Sequence, residues 1–189
     1  IMNSMVKIGG TLFGFSAIAA LLLAGTNQVT SPVIEQLNIK ASNEARIAVL
    51  PEAKDFKQVD KSAYASAGAK TAMEVYEGAN GWDTVGYTIK TAPVGYGGPV
   101  EITIGISKDG KITGVNVGNN SETPGLGAKA ADPAFYGQYK DKAAKPLEVI
   151  KSGAPNESQI KAISGATITS KAVTSGVNEA IAIFGAINK

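Results

Sequence analysis

The amino-acid sequence predicts an α+β protein: one transmembrane helix at the N-terminus, then a domain in which an antiparallel sheet is flanked by helices. Three observations carry this. An uncharged apolar run occupies residues 8–25. Alternating, strand-type segments separated by Gly and Asp-Gly turns follow between residues 73 and 117. A segment with apolar residues at helical spacing closes the chain.

The first element is the run IGGTLFGFSAIAALLLAG, Ile8 to Gly25. As a helix it reaches about 27 Å, close to the thickness of a hydrocarbon core. Val29 and Val33 add length. A cleavable signal peptide would share the basic start and apolar middle, but Leu22 and Leu23 spoil the small-residue spacing such a site needs. A lipoprotein signal would require Cys where Thr26 stands. The lack of a polar face disfavours a buried core helix. Lys7 precedes the run, and no Lys or Arg follows until Lys40. The positive-inside bias therefore puts the N-terminus in the cytoplasm and the rest of the chain on the extracytoplasmic side. Residues 1–30 are expected to form the anchor.

Residues 31–70 read as a membrane-proximal helix and connector. Ser31 can cap a helix, Pro32 suits its first turn, and Pro51 ends it. Ala53 to Ala69 is polar and poorly patterned. Residues 71–189 read as one domain. Its expected strands are Met73–Tyr76, Thr84–Thr91, Val100–Ser107 and Lys111–Val117. A turn at Gly78–Gly81, a Gly/Pro loop at Pro93–Pro99 and the hairpin signal Asp109-Gly110 separate them. Ala128–Lys140 reads as helix or turns, with Phe135 and Tyr136 packing inward. Pro146–Ile150 reads as a short strand. Thr169–Ile187 reads as a helix with Val173, Val177, Ala180, Ile181 and Phe184 on one face.

Composition narrows the chemistry. The 189 residues include neither Cys nor His. Thiol nucleophiles, iron–sulfur ligation, haem ligation by His and the usual zinc sites are thereby excluded, and redox chemistry would need an organic cofactor. The net charge of +2 is spread along the chain, which argues against a nucleic-acid partner. No catalytic residues and no metal site are expected. The 22 glycines suit tight turns and close backbone approach to a ligand.

Two motifs carry site chemistry. Ser164-Gly165-Ala166-Thr167 is a small-residue turn feeding the last helix. A helix N-terminus offers unpaired N–H groups and a positive dipole end to an anion. Gly165 and Ala166 leave room for a bulky group, and Thr167 supplies a hydroxyl. On local physics alone, a Ser or Thr capping the helix is the favoured reading. The second motif is Glu122-Thr123-Pro124-Gly125-Leu126-Gly127. Pro124 stiffens this loop and its glycines admit a ligand closely. Leu126 can pack on a flat ring, Thr123 can bond its polar edge, and nearby Lys129 can face negative charge. The string Gly125 to Ala130 also fits a loose dinucleotide pattern, but no strand leads directly into it.

The two motifs together resemble the FMN-binding domain found in the G subunit of Rnf complexes and the C subunit of sodium-pumping NADH:quinone oxidoreductases. The stretch Tyr96–Val117 resembles that family's approach to the loop. The resemblance implies FMN held covalently, as a phosphoester to Thr167. Ser164, Gly165, Ala166, Glu122, Thr123, Gly125, Leu126, Gly127 and Lys129 would form the rest of the cofactor site. A flavin transferase using FAD would install the group. The short chain favours the Rnf G subunit, a single-pass protein of the bacterial cell membrane. It would relay electrons among the membrane, iron–sulfur and flavin subunits of an ion-translocating ferredoxin:NAD oxidoreductase. The C subunit of a sodium-pumping quinone reductase and a non-redox extracytoplasmic binding module are the alternatives. Lys161 and Asn120 stand where the family often has an acidic residue and His.

Overall fold

The computed structural model describes residues 2–188. Ile1 and Lys189, the outer bounds of the expected anchor and domain, lie outside them. Helix α1 spans Met2–Val49 without a break, about 72 Å at 1.5 Å per residue. The chain divides into two compact units at Asn43/Glu44, so the last turn of α1 belongs to the second.

In the first unit the helix is long and apolar enough, by length and composition, to cross a membrane. Phe13 and Phe15 are each 76 % exposed. Thr11, Thr26 and Thr30 return their hydroxyls to carbonyls a turn back, Thr26 at 2.8 Å to Leu22. Their polar atoms are satisfied without solvent. The expected helix start at Ser31 is absent. Pro32 lies inside α1, and Ser31 Oγ bonds the Asn27 side chain at 3.2 Å instead of capping.

The second unit is a five-stranded antiparallel sheet in simple order, β1 (Asp55–Gln58), β2 (Ala72–Asn80), β3 (Asp83–Thr91), β4 (Ile102–Ser107) and β5 (Ile112–Val117). Two short strands, β6 (Glu148–Ile150) and β7 (Gln159–Lys161), pair in parallel beside it. The one-turn helix α2 (Pro133–Tyr136) and the long helix α3 (Thr167–Ile187) complete the fold, with 3-10 turns at Lys61–Ala67, Gly127–Ala131 and Gly137–Tyr139. The antiparallel α+β expectation therefore holds.

The core lies between the sheet and α3. Ile89, Ile102, Ile104 and Ile106 meet Val173, Val177 and Ile183, all fully buried. Two strands depart from expectation. Gly78 sits inside β2, where a Cβ would press on Leu50 Cδ2 at 2.6 Å; the turn falls at Gly81, three residues on. β1 is an edge strand with only Phe56 turned partly inward.

The other face of the sheet receives the end of α1. Arg46 bonds Glu74 at 2.6 Å and stacks 3.7 Å over the Tyr76 ring. Val49 lies on Gly105 and Gly114, paired glycines of β4 and β5, and its carbonyl accepts the Thr113 hydroxyl. A side chain at 105 would collide with that carbonyl.

Candidate functional site

The two motifs lie 37 residues apart between Gly127 and Ser164, and the fold brings them to one wall. A cavity of about 600 Å³ is lined by Tyr96, Glu122, Thr123, Leu126, Gly127 and the run Gly165–Thr169. The loop of residues 93–99 supplies Tyr96. It leaves β3, closes with Gly95 N–H donating to the Gly98 carbonyl at 2.7 Å, and bridges Val94 to Pro99. The segment after β5 supplies residues 122–127, and the first turn of α3 supplies the rest.

Of the residues singled out from sequence, Glu122, Thr123, Leu126, Gly127, Gly165, Ala166 and Thr167 line this cavity. Ser164 and Gly125 are exposed and sit in the turns beside it. Lys129 is set apart. It lines a separate cavity of about 320 Å³ with Asp132, Phe135, Gln138 and Lys161. Tyr96 lies outside the core. It is 73 % exposed and lines the cavity beside Leu126 and Ile168, themselves 45 % and 56 % exposed. Ile168 and Thr169 are cavity residues that neither motif marks. Only the helical phase of α3 signals them.

The hydroxyls of the α3 turn divide by role. Ala166 is the N-cap and makes no side-chain cap bond, so no Ser or Thr caps this helix. Ser170 is fully buried; its Oγ accepts from Ile163 N–H at 3.0 Å and donates to the Ala166 carbonyl at 2.9 Å. Thr169 is buried and donates to Glu122 Oε2. Thr167 is half-buried at the first helical position, lines the cavity, and takes no part in these bonds. Gly165 makes the approach with φ +77°, a left-handed conformation that side chains disfavour. The first N–H groups of α3 have no carbonyl a turn behind them and open at the same wall.

The acidic member of the second motif is turned inward. Glu122 is 6 % exposed, and its Oε1 accepts the Gly97 N–H at 2.8 Å. The cavity surface is otherwise apolar rim and neutral hydroxyl, and among the described residues no cluster of acidic side chains is placed to hold a metal.

This wall defines the class. Residues 95–182 match the FMN-binding domain model and include every residue of the cavity. The C subunit of the Na(+)-translocating NADH-quinone reductase from Parabacteroides distasonis shares the fold, with TM-score 0.58 at 22 % identity over 72 % of this chain and 78 % of that one. So does NqrC of Shewanella oneidensis, with TM-score 0.52 at 20 % identity over 76 % and 71 %.

Full-length relatives narrow the class further. The chain is 44 % identical to the G subunit of the Na(+)-translocating ferredoxin:NAD(+) oxidoreductase complex of Acetobacterium woodii, over 97 % of this chain and 93 % of that one. It is 36 % identical to the proton-translocating counterpart of Clostridium ljungdahlii, over 95 % and 91 %. The chain belongs to the G-subunit family of ion-translocating ferredoxin:NAD(+) oxidoreductase complexes, and its globular unit is an FMN-binding domain.

Proposed function

We propose that this protein is the membrane-anchored flavoprotein subunit of an ion-translocating ferredoxin:NAD oxidoreductase, relaying electrons through one FMN esterified to Thr167. The observation that carries the attachment is the sorting of hydroxyls on α3. Thr169 and Ser170 are buried and bonded, while Thr167 meets the cavity with its hydroxyl uncommitted.

The residues present fit the group. The cavity volume is in the range of ligand pockets, roughly 300–1,000 Å³. Tyr96, Leu126 and Ile168 offer apolar surface for a flat ring. The first turn of α3 offers N–H groups and a positive dipole end to a phosphate. Bound FMN supplies one- and two-electron chemistry that no side chain of this Cys- and His-free chain provides. The protein's own residues would bind and orient it: Thr167 would hold the phosphate, and Tyr96, Leu126 and Ile168 would offer the ring its apolar surface. Lys129 is exposed on the neighbouring cavity.

Attachment requires a flavin transferase as partner. The Thr167 Oγ1–P bond forms as the pyrophosphate bond of FAD breaks, AMP leaves and the hydroxyl proton is released. Residues 1–30 anchor the protein in the bilayer, residues 31–70 lead out of it, and residues 71–189 carry the flavin on the extracytoplasmic side. Lys7 before the apolar run supports that orientation. The other subunits of the complex, iron–sulfur and flavin proteins among them, would exchange electrons with the ring.

Peptide mapping by mass spectrometry of protein from the native host tests the proposal. The peptide containing Thr167 should carry one FMN. An unmodified native peptide would refute the covalent link, and native protein devoid of flavin would favour a non-redox binding module.

A further inference from the structure

The flavin cavity contains a device that the two motifs do not explain. Glu122 is buried, yet among the described residues no ion pair engages it. Its two carboxylate oxygens are divided between two different chain segments. Oε1 accepts the N–H of Gly97, 25 residues earlier, and Oε2 accepts the hydroxyl of Thr169, 47 residues later. Its own backbone N–H is held by Asn120 Oδ1 at 3.2 Å.

Two glycines are cleared around this one side chain, and a third around the backbone that leads into it. A Cβ on Gly95 would stand 2.5 Å from Oε1, and one on Gly127 would collide with Oε2 and lie 2.7 Å from Thr169 Oγ1. A Cβ on Gly97 would collide with the Ser121 carbonyl. Gly95 and Gly127 therefore make room for the Glu122 side chain, and Gly97 lets its loop close on the backbone at Ser121. Gly98 and Gly125, with φ +145° and +78° and nothing within 4 Å of a Cβ, serve the turns themselves. A buried carboxylate satisfied by two donors fixes whatever carries those donors. Here one donor is carried by the loop of Tyr96 and the other by the first turn of α3.

We infer that Glu122 is a positioning residue for the flavin ring: it clasps the Tyr96 loop to the first turn of α3, so that the Tyr96 side chain lies over the ring whose tail Thr167 holds. The inference rests on the proposed FMN site. Tyr96 is otherwise unexplained. Its ring is 73 % exposed and lines the cavity, on a loop that also exposes Val94. An exposed ring on a pinned loop is preorganised to stack on a flat partner without a new ordering cost.

The test uses full-length protein carrying its FMN, purified from a host that loads it, and reads flavin fluorescence yield and visible circular dichroism. A stacked tyrosine quenches flavin emission. Tyr96→Ala should raise the yield several-fold. Glu122→Ala and Thr169→Val should raise it similarly, with FMN still on the Thr167 peptide. Glu122→Gln can still accept from Gly97 and donate to Thr169, and Thr169→Ser keeps its donor, so both should remain as dim as wild type. The double variant Tyr96→Ala/Glu122→Ala should be no brighter than either single one, because both remove one interaction. If Glu122→Ala fails to fold, the Thr169 pair carries the comparison. Wild-type-like quenching in Glu122→Ala and Thr169→Val, with FMN on Thr167, would overturn the clasp alone. Flavin absent from Thr167 in wild type would overturn the site reading instead.

Discussion

Helix α3 buries hydroxyls in its first turn and aliphatic side chains behind it. Thr169 and Ser170 are at most 1 % exposed, and each is hydrogen-bonded. Val173, Val177, Ala180 and Ile183 are wholly buried against the sheet. The two regions do different work with the same degree of burial. Aliphatic burial stabilises the fold in proportion to area and is indifferent to direction. A buried hydroxyl gains little net stability, because its bond replaces one to water, but it fixes position. The body of α3 thus holds the domain together, and its first turn holds a site in place.

The largest loss of stability should come from the body. Ile183→Ala removes a fully buried side chain and should cost about 2–5 kcal/mol in chemical denaturation. The flavin content of whatever remains folded should be unchanged. A milder break lies on the polar flank of the same helix. Glu179 accepts Thr71 N–H at 2.7 Å, Ala72 N–H at 2.9 Å and the Thr71 hydroxyl at 2.7 Å. Glu179→Ala strands two partly buried amides at the start of β2 and should cost about 1–3 kcal/mol. Exchange of those two amides should quicken more than that of β4. Equal loss of protection in both strands would mean that Glu179 supports the whole domain and not its edge.

Between the two regions stands Thr174, whose hydroxyl meets Tyr139 Oη at 2.7 Å. Burial holds the Tyr139 phenol far above its ordinary value, against a smaller opposing effect of Thr174. A raised folded value means that the native state keeps its proton where the unfolded chain has lost it. The contribution is fully present below the ordinary tyrosine value, about 10, and is lost progressively as pH rises from there toward the raised folded value. Tyr139→Phe should cost about 1 kcal/mol at neutral pH and flatten the fall in stability above pH ~10. An unchanged alkaline limb in a pH series of melts would assign that fall to other groups, such as Tyr87, which burial also raises.

How much of this is legible in the sequence follows the same division. The face Val173, Val177, Ala180, Ile181 and Phe184 is readable because its periodicity is local, and all five are buried. The β4–β5 hairpin is readable from Asp109-Gly110 for the same reason. β1 is not, since an edge strand with one half-buried side chain has no alternation to display. Gly78 reads as a turn because glycine breaks strands on average, whereas here it yields space to Leu50. Pro32 reads as a helix start because a proline fits there at least cost, yet α1 runs through it. At the site, Thr167 and Leu126 can be named from the motifs. The clasp cannot, because its bonds span 25 and 47 residues and exist only once the fold has closed.

The smallest effect on stability should accompany the largest effect on function. Thr167 lines the cavity, caps nothing and donates no bond that holds the first turn of α3. Thr167→Ala therefore removes a half-buried hydroxyl at a helix start, where alanine is well tolerated. Its unfolding free energy, measured without flavin on both proteins, should lie within about 0.5 kcal/mol of wild type. Covalent FMN, followed as flavin fluorescence in a denaturing gel, should vanish. Thr169→Val supplies the contrast within the same turn: it breaks the bond to Glu122 yet leaves the acceptor in place, so its gel signal should persist. Were the two variants to exchange outcomes, the uncommitted hydroxyl would not be the attachment point. The division between a turn that holds the site and a body that holds the fold would then have to be redrawn around Thr169.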